Sequence, residues 1–473
     1  MPINHGVYTS EKATSVANPI KAESGVPIVF GTAPVQAADS PAAVGMPTLV
    51  EGWSDFVKKF GYSDDWTTYT LCEFAYSHFK LFGVQPAIFV NVLNPASMKT
   101  TVNAADKTVS AHRVALPIAA INDASLVVKA EGGGGDAYVK GTDYDVFYDG
   151  EYCYVELLDG GACYDATKVS VAYSAITIAS INAAAIATAM ENIELCMTKL
   201  GLVPDLIVAP GWSSEATVAA VMSTKAAGIN GMFQAKALID LTAAANSGYT
   251  AAISAKNASA LSEKVNIVCW PLVKLGDKTF HLSTQLAGLM AQVDSNNGGS
   301  PYESPSNKKL VIDALVDAGG NEINLTHAQA NVLNAAGIVT AINFMGGFRT
   351  WGNYTAAYPN DTDVKDTFIP ISRMFDWVGN TVRRTFWSIL DAPMNRRLID
   401  TVTDQVNVWM NALTGAGQLL GGRAEYLEDE NPTADLMQGI IRMHLYITPP
   451  GPAQELDYVL EYDASYVTAA FSE

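Results

Sequence analysis

Charge is scarce in this chain, and basic charge scarcest. Only 16% of its 473 residues are charged, and 29 Lys and Arg face 48 Asp and Glu, a net of -19. A surface this acidic excludes a nucleic-acid binder, because phosphates need clustered Lys and Arg. Cysteine is also sparse. Cys72, Cys153, Cys163, Cys196 and Cys269 form no CxxC pair, which rules out a disulfide scaffold, a zinc ribbon and a redox dithiol. An odd set of mostly apolar-flanked thiols fits a reducing compartment. Long apolar runs are missing: the longest, 176–190, is broken by Ser180 and Asn182 and is too short to span a bilayer. The first residues, MPINHGVYTSEKATSV, carry no basic stretch followed by an apolar one, so no secretory signal is read there. The expectation is a soluble chain made in the cytoplasm. Its 49% hydrophobic content excludes wholesale disorder, and its length suggests about three domains.

Catalytic signatures are missing too. There is no GxxxxGK[ST], no GxGxxG opening a helix after a strand and no HExxH, and the six histidines never pair at ligand spacing. The run Glu131-Gly-Gly-Gly-Gly-Asp136 is bracketed by acids that would repel phosphate, so it reads as a hairpin tip. Asn360 to Asp366 has three acids but neither the glycine nor the terminal Glu of a calcium loop. The most enzyme-like stretch is Leu206-Ile-Val-Ala-Pro-Gly-Trp-Ser-Ser-Glu215, a strand, a turn with serines and a helix start. A nucleophile elbow needs GxSxG, and Ser213 or Ser214 as a helix N-cap explains the same residues with less. No catalytic, cofactor-binding or metal-binding residue is assigned.

What is present is organisation. Residues 1–25 are polar and aperiodic and read as an arm. From Val26 the chain alternates strands apolar on both faces (26–32, 87–93, 206–209, 265–270) with helices (71–82, 183–200, 214–227, 282–293), which implies a helix-covered sheet. Residues 96–178 break this grammar with period-two stretches and the turn signals Asp149-Gly150 and Gly160-Gly161, so a small all-β module is read as inserted there. Ile371–Leu390 carries a helix stripe. A second helix is expected to be capped by Asp391, with Pro393 in its first turn, and to stop at Gly415 and Gly417. Period-two stretches at 439–448 and 456–463 predict two closing strands, followed by a β-permissive tail, 464–473.

Eight of the nine arginines lie between Arg349 and Arg442. Segment 373–423 holds six Arg against four Asp, a net of +2, whereas 424–473 holds ten acids against Arg442, a net of -9. The plain reading is solvated charge balanced inside one domain. The sharper one is complementary patches that meet between copies of the chain, which the choice of Arg over Lys favours.

The C-terminal segment resembles the conserved domain of contractile-tail sheath proteins of phages, tail-like bacteriocins and injection systems. The residues that carry the likeness are Gly347-Phe-Arg-Thr-Trp-Gly-Asn353, Phe368, Arg373, Asp391-Ala-Pro393, Leu398-Ile399, Gly417 to Gly421, Asn431-Pro-Thr433, Gly439 and Tyr446-Ile-Thr-Pro-Pro450, with Pro452-Ala-Gln-Glu455-Leu closing the series. His5-Gly-Val7 with Glu11 is similar to the family's N-terminal arm. The chain departs from the pattern at Tyr354, where many relatives have a second Arg, and over 355–363.

The resemblance implies a multidomain α/β and α+β fold. An inner domain would be built from 1–25 with 346–473, an α/β domain from 26–95 with 179–345, and an outer β module from 96–178. It implies a structural subunit with no cofactor, assembling with copies of itself as stacked hexameric rings around a tail tube. Baseplate and tail-terminator proteins would be further partners, without nucleic acid or membrane insertion. The particle would be a virion tail or tail-like device, assembled in the host cytoplasm, that contracts to drive the tube into a target envelope. His5, Gly6, Val7, Glu11, Tyr466 and Val467 are the expected subunit-linking arm residues. Arg349, Arg373, Arg383, Arg384, Arg396 and Arg397 are the inner-domain interface candidates. The competing readings are a cytoplasmic, hydrolase-like α/β enzyme built on 206–215 and a surface-layer or adhesion protein.

Overall fold

The computed structural model describes residues 20–242 and 248–471. In chain order it opens with β1 (Pro27–Gly31), β2 (Thr48–Val50), α1 (Trp53–Phe60), α2 (Thr70–Ala75), which continues as a π-helical turn over Tyr76–Leu81, and β3 (Ala87–Asn91). Six strands follow: β4 (Lys99–Thr108), β5 (Arg113–Pro117), β6 (Val127–Ala130), β7 (Tyr144–Tyr148), β8 (Tyr152–Leu157) and β9 (Lys168–Ile176). Then come α3 (Ala183–Met190), α4 (Leu195–Leu200), β10 (Leu206–Val208), α5 (Ala216–Ala227), β11 (Lys236–Asp240), α6 (Tyr249–Ala258) and β12 (Asn266–Cys269). The strands β13 (Leu272–Leu275), β14 (Lys278–Phe280), β15 (Ala314–Val316) and β16 (Glu322–Ile323) enclose α7 (Leu282–Asn296), and α8 (His327–Ala335) leads into β17 (Ile338–Asn343) and β18 (Phe348–Trp351). The C-terminal part has α9 (Val364–Thr367), α10 (Ile369–Phe386), α11 (Arg396–Gly415), β19 (Gly421–Glu425), α12 (Thr433–Met437), β20 (His444–Thr448) and α13 (Ser465–Phe471).

Eight strands make the main sheet, in the order β18-β17-β12-β11-β10-β1-β3-β2. Pairing is parallel from β3 through β17, and the edge strands β2 and β18 run antiparallel. The strands β1, β3, β10 and β12 are buried at every position, as their unbroken apolar runs require of a sheet covered by helices. One feature departs from the sequence reading. The hairpin β17–β18 carries the main sheet across residue 346, so Phe348–Trp351 is its edge strand and not the start of the C-terminal unit.

Residues 99–176 form two three-stranded antiparallel sheets, β4-β9-β6 and β5-β8-β7, closed over a separate core of Val114, Leu116, Val128, Cys153, Val155 and Val171. Lys99 pairs with Ile176 across β4 and β9, so this module enters and leaves through adjacent strands. At its base Ile121 and Ile176 join the core of the main sheet.

In the C-terminal unit, α10 and α11 bury Met374, Trp377 and Val378 against Val406, Trp409 and Met410, with the two indoles 5.6 Å apart. The N-terminal segment lies along α10. Ile20 N and Ala22 N donate to the hydroxyls of Thr385 (2.9 Å) and Thr381 (3.0 Å), and Trp377 Nε1 donates to Ala22 O (3.0 Å). Gly25 lets that segment cross α7: its φ is +72°, and a Cβ there would sit 2.7 Å from Ala291 Cα.

Several expected ends moved. The cap of α11 is Asn395, whose side chain accepts from Leu398 N at 3.0 Å, because Asp391 sits in a left-handed turn (φ +63°) one turn too early. Ser213 and Ser214 do not cap α5: Glu215 occupies that position, and Ser213 is drawn to Asp240 instead. Only His444–Thr448 of the 439–448 stretch is a strand, and 456–463 is not one, pairing with no strand among the described residues. The tail expected to be β-like is the helix α13, opened by Asp463, whose carboxylate accepts from Ser465 N (2.9 Å) and Ser465 Oγ (2.5 Å).

Candidate assembly surface

Three features of the C-terminal half decide what it can touch. The first is a buried ionic joint. The Arg373 guanidinium donates to Asp294 Oδ1 (3.0 Å) and Oδ2 (2.5 Å) and to Asp205 Oδ2 (2.7 Å), with its side chain 3% exposed. Beside it Lys236 pairs with Asp376 (2.8 Å) and donates to Ser372 Oγ (2.6 Å). Ser24 Oγ completes Asp294 at 2.6 Å, and Val26 N donates to Asp205 Oδ1 at 2.8 Å. Burial pushes the Asp205 carboxyl up against the pull of Arg373, and burial pushes the Lys236 ammonium down against the pull of Asp376. Two cations and three carboxylates thus bolt α10 to β10, β11 and α7. Neither local pattern nor spacing announced this joint. The only hint in the sequence was a charged residue, Arg373 or Asp376, inside an otherwise apolar stripe.

That geometry sorts the expected interface arginines. Arg373 is an internal strut and offers nothing to a neighbour. Arg384 pairs with Glu23 and is largely covered by the N-terminal segment, and Arg349 donates to Asn307 O at 2.9 Å. Arg383, exposed, contacts Asn380. Arg396 and Arg397 stand exposed at the start of α11, Arg396 in an i,i+4 pair with Asp400 whose side chains are 69% and 53% exposed. Between α10 and α11 the loop also leaves Trp387, Leu390 and Met394 in the open.

The second feature is a two-stranded sheet. The strands β19 and β20 pair only with each other among the described residues, packing one face on α11; the outer edge of β20 is left open, and that of β19 is open except at Ala424, whose N–H and C=O are taken by Asn407 (2.7 and 3.1 Å). The third is the arm that follows β20. Among the described residues, none from Glu455 to Asp463 is hydrogen-bonded or ion-paired to the body of the chain, and Leu456, Tyr458, Val459, Leu460 and Tyr462 are 72–94% exposed. Tyr466 and Val467 lie exposed on α13. His5, Gly6, Val7 and Glu11 fall outside the described residues.

The enzyme-like stretch resolves differently. Asp240, at the end of β11, accepts from Ser213 Oγ (2.9 Å), Ser283 Oγ (2.5 Å) and Ser283 N (3.0 Å), while its own N donates to Ser213 Oγ (3.0 Å). Burial pushes its carboxyl up. The nearby His281 Nδ1 is committed to the buried Glu73 at 2.9 Å; burial would lower its pKa, but that carboxylate lifts it to about 9. Ser213 Oγ is thus held between the carboxylate and the backbone N–H of Asp240, and the His281 imidazole is turned to Glu73. The cluster ties β11, α7 and α2 together. Among the described residues no helix is long and apolar enough to cross a membrane.

No family model matches the chain. A tail sheath protein of Burkholderia phage BcepMu is 28% identical over 493 residues, covering 98% of this chain and 97% of that protein. A putative prophage major tail sheath protein of Pseudomonas aeruginosa (strain UCBPP-PA14) is 26% identical over 316 residues, 64% of this chain and 76% of that protein. Among solved structures, the sheath complex of an extracellular contractile injection system (PVC) in its contracted state superposes with a TM-score of 0.60 at 15% identity, covering 98% of this chain and 99% of that one. The contracted helical sheath of the anti-feeding prophage gives 0.58 at 14% identity, covering 98% and 100%. The fold is therefore that of contractile sheath proteins, and the sequence relatives carry the same name. The chain is thus similar in sequence to phage tail sheath proteins and shares the fold of contractile sheath proteins, which are structural proteins and not enzymes.

Proposed function

We propose that the chain is the repeating subunit of a contractile tail sheath, organised as an inner C-terminal unit, an α/β unit and an outer β module. The observation that carries this reading is the arm at 455–463. Five large apolar side chains alternate or adjoin along an extended segment that this chain itself leaves in water. Soluble monomers rarely expose so much contiguous apolar surface without a partner for it. Its period-two pattern, its unmet backbone groups and the open edges of β19 and β20 are what strand addition between copies needs. Fully extended, nine residues span at most about 30–32 Å, enough to reach an adjacent subunit. Arm residues Tyr466 and Val467, with His5, Gly6, Val7 and Glu11 at the other end, link the lattice.

Copies stack as hexameric rings around a tail tube, bounded by baseplate and terminator proteins, and are assembled in the host cytoplasm into a virion tail or tail-like particle. The buried joint at Arg373 supports motion of each subunit as a nearly rigid body, with contraction exchanging interfaces while the arms keep the copies connected. Arg383, Arg396 and Arg397, with the exposed Trp387 and Leu390, supply the basic, apolar face toward a neighbour or the tube. The test is to express the chain with its tube and baseplate proteins and image the product by negative stain, beside a variant lacking 455–473. Tubes from the full chain and folded, unassembled protein from the truncation are expected. Normal sheaths from the truncation would remove the arm from the account, and no tubes from either would remove the sheath reading.

A further inference from the structure

The arm does not leave the body at β20. Beyond Thr448 the chain reads Pro449-Pro-Gly-Pro452-Ala-Gln454, and Pro449 is buried. This stretch forms one wall of a cleft of about 1000 Å³ whose opposite wall includes Tyr354, Tyr358, Asn331 and Trp351. Tyr354 is held as one plate of an aromatic stack: its ring lies 4.0 Å from that of Tyr358, nearly parallel, and 5.0 Å from that of Phe368. Its hydroxyl then donates to Gln454 Oε1 at 2.9 Å. Among the described residues this is the last hydrogen bond between the arm and the body, and everything from Glu455 to Asp463 lies beyond it. Pro449, Pro450 and Pro452 each hold φ near -65°, so among residues 449–452 Gly451 alone lacks that restraint, and Ala453 and Gln454 follow without it.

We infer that Tyr354 is a positioning residue that latches the root of the C-terminal arm through Gln454 and so fixes the direction in which the arm leaves the subunit. The inference rests on the proposed linking role of the arm and adds how it is aimed. A proline-stiffened root with a latch at its far end holds the first arm residues in a small volume. An arm presented that way meets a neighbouring strand edge at a higher effective concentration than one swinging from Gly451. The stack pre-orients the phenol, so the latch forms without ordering a new side chain. A side chain at 354 without a ring and hydroxyl would have neither the stack on Tyr358 and Phe368 nor a proton to give to Gln454.

The test uses the full chain, whose five cysteines are all buried. Spin labels go on Asn360→Cys and Asp457→Cys, both exposed positions, and their distance distribution is measured in the monomer. Tyr354→Phe keeps the stack and removes only the hydroxyl, and Gln454→Ala removes the acceptor. Each is expected to raise the unlatched population about fivefold, the equivalent of one ordinary hydrogen bond, and to broaden the distribution. With tube and baseplate supplied, both variants then assemble more slowly than the parent but into the same sheath. A distribution equally narrow in parent and variants overturns the latch. A broadened distribution with an unchanged assembly rate leaves the latch as a local contact and overturns the positioning role alone; the linking role falls instead if a variant lacking 455–473 assembles normally.

Discussion

Replacing Arg373 isolates what holds the two halves of the subunit together. Its guanidinium makes three hydrogen bonds to two carboxylates, Asp294 being fully buried and Asp205 nearly so. In Arg373→Met the two carboxylates remain, buried and close together, with only Ser24, Val26 N and Lys236 nearby. Breaking a buried pair from one side costs about 3–5 kcal/mol, whereas the exposed Arg396–Asp400 pair is worth about 0.3–0.5 kcal/mol. Urea unfolding followed by tryptophan fluorescence should therefore separate Arg373→Met from Arg396→Ala by roughly tenfold in lost stability. Two controls make the reasoning sharper. Adding Asp205→Asn and Asp294→Asn to Arg373→Met should recover most of the loss, because the unpaired charges are then gone. In Arg373→Met alone the Asp205 carboxyl, already pushed up by burial, loses the cation that opposed that shift, so its protonated form favours folding. The variant should then regain stability as pH falls from 7 toward 5. An Arg373→Met variant no weaker than Arg396→Ala, or one indifferent to the added Asn substitutions, would refute the strut.

Other consequences can be measured on the same protein. The ion pair of His281 with Glu73 contributes stability that is fully present below the unfolded His pKa of about 6.5 and is lost as pH rises through about 9. His281→Gln should accordingly close most of its stability gap to the parent between pH 7 and pH 10, and a constant gap would contradict the pairing. Replacing 99–176 by a short Gly/Ser linker should preserve a cooperative melt, since Lys99 and Ile176 are cross-strand partners. It should cost roughly 3–6 kcal/mol as Ile121 and Ile176 leave the main core, and insoluble product would refute the nesting. Arg396→Glu with Arg397→Glu should leave the melting temperature within a few degrees while reducing sheath formation. Equal losses of stability and assembly would make these arginines internal partners.

How much of this was legible from residues alone differs element by element. The buried strands β1, β3, β10 and β12 announce themselves as unbroken apolar runs, and Asp149-Gly150 marks the turn between β7 and β8. In contrast β11 begins at Lys236 and ends at Asp240, so its two ends look like loop. Each charge is carried inside by a partner 27 or more positions away in the chain: Asp376 for Lys236, Ser213 and Ser283 for Asp240. The same remoteness hid the Arg373 joint. Helix ends were misread where two capping residues compete within five positions, as Asp391 and Asn395 do. The stretch 456–463 has a genuine period-two pattern and yet is no strand here, because a strand needs an edge beside it and among the described residues it pairs with none. The basic character of α10 and α11 was plain, but which arginines face outward was decided by Glu23 and Asp294, far off in sequence.

The central claim is that an arm unmet within one chain is met by another. A helical reconstruction of the assembled sheath by electron cryomicroscopy tests it directly. The account predicts continuous density for 455–463 as a strand alongside β19 or β20 of an adjacent copy, with Leu456, Tyr458, Leu460 and Tyr462 on one face. An ordered sheath in which that segment lies on its own subunit, or stays in solvent between copies, would contradict it.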